Sequence, residues 1–169
     1  YALLPWRNVI ENVALGLKLR GVPKVEQHRI AEKYLAITNL TEAAAKYPHE
    51  LSGGMKQRVA VARTLANAPE VMLMDEPFAA VDAQTRMTLQ EELVRIWEHS
   101  KVTVLFVTHS VDEAVFLGDR VVVLSPRPAR VKESLEVKIP RARRTWGMMN
   151  TDPEFIALRD RVLQLVRGG

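Results

Sequence analysis

The 169-residue chain contains no cysteine, which excludes a disulfide framework, a thiolate metal site and thiol redox chemistry, and suits a reducing compartment. Long apolar runs are also missing. Stretches such as 102–107 and 121–124 fall far short of the ~20 apolar residues that a membrane-crossing helix needs. There is little excess of one charge: 24 Lys and Arg against 20 Asp and Glu leave a net charge of +4, which reads as a mixed, solvated surface. The basic excess is densest over 127–144, where seven Lys or Arg face Glu133 and Glu136. No aromatic residue is interleaved there for base stacking, so this stretch reads as an exposed basic edge and no nucleic-acid partner is expected. The chain opens on Tyr1, with no initiator Met and no charged segment leading into an apolar one. It therefore reads as a fragment without a signal peptide.

What is present is a 47% hydrophobic composition, enough for one domain with a core. Residues 1–68 read as a helical subdomain. Asn8 and Glu11 form a capping-box pattern, and Val9, Val13 and Leu17 then recur every fourth residue, predicting a helix over 8–20. Gly21 and Pro23 break it, a second helix spans 24–40, and a short one runs from Thr41 to before Pro48. From 69 onward the period changes. The runs 71–74, 102–107 and 121–124 are short, apolar and β-branched, as in strands buried on both faces. Helices are predicted between them, over 83–99 with Leu89, Leu93, Ile96 and Trp97 on one stripe, and over 110–118 behind a Ser110/Glu113 capping box. This alternation predicts an α/β fold, with parallel strands joined by crossover helices. Thr151, Pro153 and Glu154 open a last helix, whose apolar face is Phe155, Leu158, Val162 and Leu165 and which ends before Gly168.

Two patterns carry chemistry. After the apolar strand come Asp75, Glu76 and Pro77, two carboxylates at the carboxyl edge of an α/β sheet, where ligands bind. Such a pair suits a divalent metal beside a base that polarises a water molecule. Alone, it also fits a strand that ends in solvated acids. Some twenty residues earlier, LSGGMKQR over 51–58 places Ser52, Gly53 and Gly54 at the start of a strongly helical segment running to Ala68. A hydroxyl, close backbone approach and oriented N–H groups favour an anion there, while an ordinary serine cap is the plainer alternative.

Four segments in order, LSGGMKQR, VMLMDEP, AAVDAQTR and VTHSVDEA, resemble the signature, Walker B, D-loop and switch-histidine motifs of ABC transporter ATPases. The opening YALLPWRNVIENV is similar to the stretch after the Q-loop glutamine in importers of the nitrate, sulfonate and taurine group, and LSPRPARV points the same way. The resemblance implies a partial ABC-type P-loop ATPase domain that uses ATP and Mg²⁺. Asp75 is then the metal residue, Glu76 the base, and His109 the contact to the γ-phosphate. Ser52, Gly53, Gly54 and Gln57 belong to the signature, and Asp82 is the D-loop aspartate as well as a helix cap. Implied partners are a second ATPase subunit in a homodimer, transmembrane permease subunits and, indirectly, a solute-binding protein, at the cytoplasmic face of the membrane. Ala79 stands where the family usually has glycine, and Val81 where it has leucine. No G-x-x-x-x-G-K-[ST] pattern occurs, and the Q-loop glutamine and an adenine-stacking aromatic are missing too. The fragment is thus expected to be inactive alone. A non-transport ABC-type ATPase acting on nucleic acid is the alternative, but no coiled-coil, zinc or linker insertion interrupts residues 1–51.

Overall fold

The computed structural model describes residues 3–79, 81–100 and 102–168. Asn8 opens α1 (Val9–Val13) with a complete capping box: its Oδ1 accepts from the Glu11 amide at 3.0 Å, and the Glu11 carboxylate accepts from the Asn8 amide at 3.1 Å. Two orphan N–H groups are satisfied at once. The expected single helix over 8–20 is two helices, because Ala14 (ψ −6°) tightens the turn and shares its N–H between Asn12 and Ile10 carbonyls before α2 (Leu15–Leu19). At Gly16 a Cβ would lie 2.1 Å from Asn67 Oδ1, so a larger residue there would have to displace the Asn67 side chain. The next helix, α3 (Lys24–Ile37), stops earlier than predicted: Thr38 Oγ donates back to the Tyr34 carbonyl at 2.8 Å and Asn39 turns left-handed (φ 54°). Only a 3-10 turn, Thr41–Ala43, forms where a short helix was expected.

Ser52 then starts α4 (Gly53–Leu65), and after β1 (Val71–Asp75) comes α5 (Ala83–Ser100). The chain divides into two compact units, the first formed by Tyr1–Met72 and Ala80–Val104. Its core gathers Val9, Val13 and Leu17 with Leu35, Leu40, Val59 and Ala62. Full burial of each Val or Leu side chain among them contributes about 1.5–3 kcal/mol. The predicted stripe Leu89, Leu93, Ile96 and Trp97 on α5 is also buried. Buried Asn12, which the sequence reading passed over, accepts from the Leu4 amide at 2.8 Å and donates to the Leu4 and Arg7 carbonyls, fixing the bend that precedes α1.

The second unit comprises Leu73–Ala79 and Leu105–Gly169. It holds the end of β2 (Thr103–Val107), α6 (Val111–Leu117), β3 (Arg120–Leu124), β4 (Val131–Glu136) and α7 (Pro153–Arg167). One sheet pairs β1 with β2, and a separate one pairs β3 with β4. The expectation that β3 runs parallel in a common sheet is thus corrected. Its partner is β4, antiparallel, with Val121 opposite Leu135 and Leu124 opposite Val131. That strand lies inside the stretch read as a basic edge, where mixed charges concealed the alternation. Nor are the strands buried on both faces: Met72 and Met74 are buried, whereas Leu73 is 73% exposed, and Leu105, Val107, Val122 and Leu124 are exposed too. The cap of α7 is Asp152, whose carboxylate accepts from the Glu154 and Phe155 amides, and Phe155 and Val162 bury its predicted face.

Candidate functional site

In the second unit β1 ends at Asp75, and the next residue leaves the strand by a left-handed step, with Glu76 at φ 41°. A side chain with a Cβ rarely adopts this conformation, which costs of order 1–3 kcal/mol and persists only where its surroundings impose it. Two features hold it here. The Glu76 amide donates to the Val107 carbonyl at 2.9 Å, and the Glu76 carbonyl accepts from Ala79 at 3.1 Å. Phe78, fully buried, packs against Phe106 with ring centroids 5.9 Å apart. The step turns the Glu76 carboxylate toward the segment after β2, where its Oε1 lies 3.0 Å from His109 Nδ1. Both side chains stay open, 45% and 76% exposed, so an incoming ligand reaches them. Asp75 is exposed beside them. Among the described residues no three His, Cys, Asp or Glu side chains converge on a metal position. A cation at Asp75 would therefore complete its shell with ligand and water oxygens, as Mg²⁺ does with phosphates.

The capping box expected at Ser110 takes another form. Ser110 Oγ accepts from the Glu113 amide at 3.3 Å, but the Glu113 carboxylate does not return to Ser110. It accepts from Thr108 Oγ1 at 2.6 Å, and Thr108 Oγ1 accepts the Ser110 amide at 3.0 Å. The far end of α6 is held by Arg144, a buried residue that the sequence reading assigned to the exposed basic edge. Its guanidinium donates to the carbonyls of Phe116 at 3.2 Å, Gly118 at 2.8 Å and Ile139 at 2.8 Å. Burial pulls its pKa down, and the neighbouring Asp119 carboxylate opposes the shift.

In the first unit Ser52 caps α4, its Oγ accepting from the Met55 amide at 3.2 Å. A Cβ on Gly53 would meet nothing within 4 Å, so the space before the helix N-terminus is open. Gly54 plays a packing role: a Cβ there would stand 3.2 Å from Leu89 of α5. Gln57 is buried in α4, unlike exposed Ser52 and Gly53. Arg58 pairs with Glu92 of α5 at 3.3 Å and donates to the Thr38 carbonyl, so α4 is tied to both neighbours. Asp82 caps α5 by accepting from the Thr85 amide at 3.0 Å, and these hydrogen bonds lower its pKa. Ala80, in the D-loop segment, lies outside the described residues.

Asp75, Glu76 and His109 therefore share the second unit, while Ser52, Gly53, Gly54, Gln57 and Asp82 belong to the first. The arrangement is an exposed, serine-capped helix N-terminus and, separately, carboxylates beside a histidine at a strand end. These are the parts used by phosphate-handling α/β proteins.

Comparison with known proteins gives the class. Residues 2–79 match the ABC transporter family, and the chain belongs to it, as part of an ABC ATPase domain. An uncharacterized ABC transporter ATP-binding protein of Methanocaldococcus jannaschii is 53% identical over 99% of this chain and 61% of its own length. The taurine import ATP-binding protein of Chromobacterium violaceum is 46% identical, with 96% and 64% covered, and the nitrate import ATP-binding protein of a Synechocystis strain is 44% identical, with 99% and 65% covered. The chain thus spans a little under two thirds of the length of these relatives. Among the described residues no helix is long and apolar enough to cross a membrane.

Proposed function

We propose that the chain is the signature- and Walker B-bearing part of an ATP-hydrolysing subunit of an ABC importer, and that the whole subunit couples hydrolysis to uptake of a small anion or zwitterion such as nitrate, a sulfonate or taurine. The observation that carries the reading is the Glu76–His109 contact at the end of β1. It sets a potential base and a polar ring side by side at the sheet edge, as attack of water on a phosphoryl group requires.

Each residue then has a role. Asp75 holds Mg²⁺, which neutralises phosphate charge when bound. Glu76 orients water and takes its proton, and His109 faces the γ-phosphate and keeps Glu76 in place. The Ser52 hydroxyl and the α4 N-terminus, with Gly53 leaving the approach open, receive the γ-phosphate of a nucleotide held by a second subunit. Gln57, buried in α4, supports that turn from behind. Asp82 fixes the start of α5 and joins the two subunits. β1 and β2 pair in one sheet and α5 lies between them in the chain, the element order expected of a crossover unit in such a domain.

The surface around Trp6 is the seat of the permease subunits, which a solute-binding protein serves from the other side of the membrane. Trp6 is 71% exposed, and Leu19 and Val25 of the same unit are exposed as well, which leaves apolar side chains available for a partner to cover. Tyr1 and Ala2, the first residues of the same opening segment, lie outside the described residues.

The test is ATP turnover by the full-length subunit, alone, with its permease in vesicles, and with DNA. Stimulation by the permease together with solute uptake is expected. Stimulation by DNA without any response to the permease would replace this reading by a nucleic-acid ATPase.

A further inference from the structure

We propose that Glu113, acting through the hydroxyl of Thr108, is the residue that positions His109. The inference rests on the ATPase reading above for its consequence, but on this chain's own geometry for its substance.

The His109 side chain is 76% exposed, and among the described residues its one hydrogen bond is to Glu76. Little packs against the ring, so its direction depends on the backbone that carries it. That backbone is held on both sides. Thr108, the preceding residue, uses its hydroxyl twice: it donates to Glu113 Oε2 at 2.6 Å and accepts from the amide of Ser110, the following residue, at 3.0 Å. A hydroxyl engaged in both directions has one orientation, and the β-branched threonine has few χ1 alternatives. The 108–110 segment is thereby closed into a small ring with His109 at its apex.

The choice of Glu113 for this task is not what helix capping requires. In a capping box its carboxylate would take the Ser110 amide directly from a solvated position. Here Glu113 is only 6% exposed, and burying a carboxylate is costly unless hydrogen bonds compensate. The cost brings a short, charge-assisted bond to Thr108, stronger than a neutral one. Glu113 itself does not drift, because α6 is anchored at its other end by Arg144 on the Phe116 and Gly118 carbonyls and by Phe116 stacked on Trp146 at 4.7 Å. The path thus runs from a fixed helix through Glu113 and Thr108 to the histidine backbone, and from His109 to Glu76. Glu113 touches no reacting atom and is a positioning residue.

The test compares Thr108→Val, which is nearly isosteric but lacks the hydroxyl, with Thr108→Ser, which restores it, in the full-length subunit. Two readouts are taken: steady-state ATPase, and the ¹⁵N signals of the His109 ring without nucleotide. For Thr108→Val, kcat falls about tenfold or more with KM for ATP within about twofold, since a displaced group loses transition-state contacts rather than binding. The His109 ring signals move from those of one hydrogen-bonded tautomer to those of an averaged imidazole. Thr108→Ser recovers both, and Glu113→Gln, which keeps an acceptor oxygen, loses less than Glu113→Ala. Unchanged ring signals in Thr108→Val, or a Thr108→Ser variant as impaired as Thr108→Val, would overturn the proposal. The ring signals are read without turnover. A wild-type subunit with no ATPase would therefore refute the proposed function while this arm still decided the positioning role.

Discussion

Glu76 Oε1 and His109 Nδ1 stand 3.0 Å apart although 33 residues separate them in the chain. The contact depends on a left-handed residue at the end of β1 and on a tied loop at the start of α6, so two independent local structures converge on it. Neither side chain is buried, which leaves the pair open to solvent.

Trp6 offers the plainest separation of docking from packing. Because it is 71% exposed, Trp6→Ala should change unfolding free energy by no more than ~0.5 kcal/mol, as for other surface substitutions. Free ATPase should also be retained, while assembly with the permease or transport is lost. Chemical denaturation gives the first quantity. A loss of about 3–5 kcal/mol, the usual cost of removing a buried aromatic, would make Trp6 a core residue.

Arg144 should behave in the opposite way. Its ion pair with Asp119 reaches a carboxylate that is 60% exposed and adds little, whereas its bonds to the Phe116, Gly118 and Ile139 carbonyls are shielded. Arg144→Met leaves those carbonyls without a donor and should cost about 2–5 kcal/mol in denaturant unfolding. Arg144→Lys should recover only part, because an ammonium lacks the planar fork. A Met variant as stable as the wild type would contradict the anchoring of α6.

Asp82 makes stability depend on pH. Its folded pKa is lowered, chiefly by the hydrogen bond from the Thr85 amide. The stabilisation is therefore complete above the ordinary aspartate range and is lost as pH falls through the lowered folded value. Asp82→Ala should lower Tm at neutral pH, and the gap to wild type should close on acidification. Asp82→Asn, which still caps, should lie between. A gap that widens in acid would reverse the assigned direction.

The sequence made structure legible wherever the signal was local. Capping at Asn8, the stripe Leu89–Leu93–Ile96–Trp97, and the Asp75, Glu76 and Ser52 positions all follow from neighbours within a few residues. What escaped depends on distant partners. The antiparallel pairing of β3 with β4 needs Val121 opposite Leu135, and the Lys, Glu and Ser residues in β4 gave no apolar run to recognise. Arg144 looked like one more surface cation because its carbonyl partners lie up to 28 residues away. Thr108 was hidden for a subtler reason: the Ser110/Glu113 spacing fits a capping box so well that a different route for the carboxylate had no sequence signal.

Glu76→Gln in the full-length subunit tests the proposed role of Glu76 as the base of an ATPase. The substitution preserves size and hydrogen bonding to His109 but removes proton acceptance. ATP hydrolysis should fall by about 10² or more, the range expected for loss of general-base catalysis, while ATP affinity measured by calorimetry remains at the wild-type value. A variant that loses ATP binding yet keeps its turnover per bound nucleotide would contradict the account.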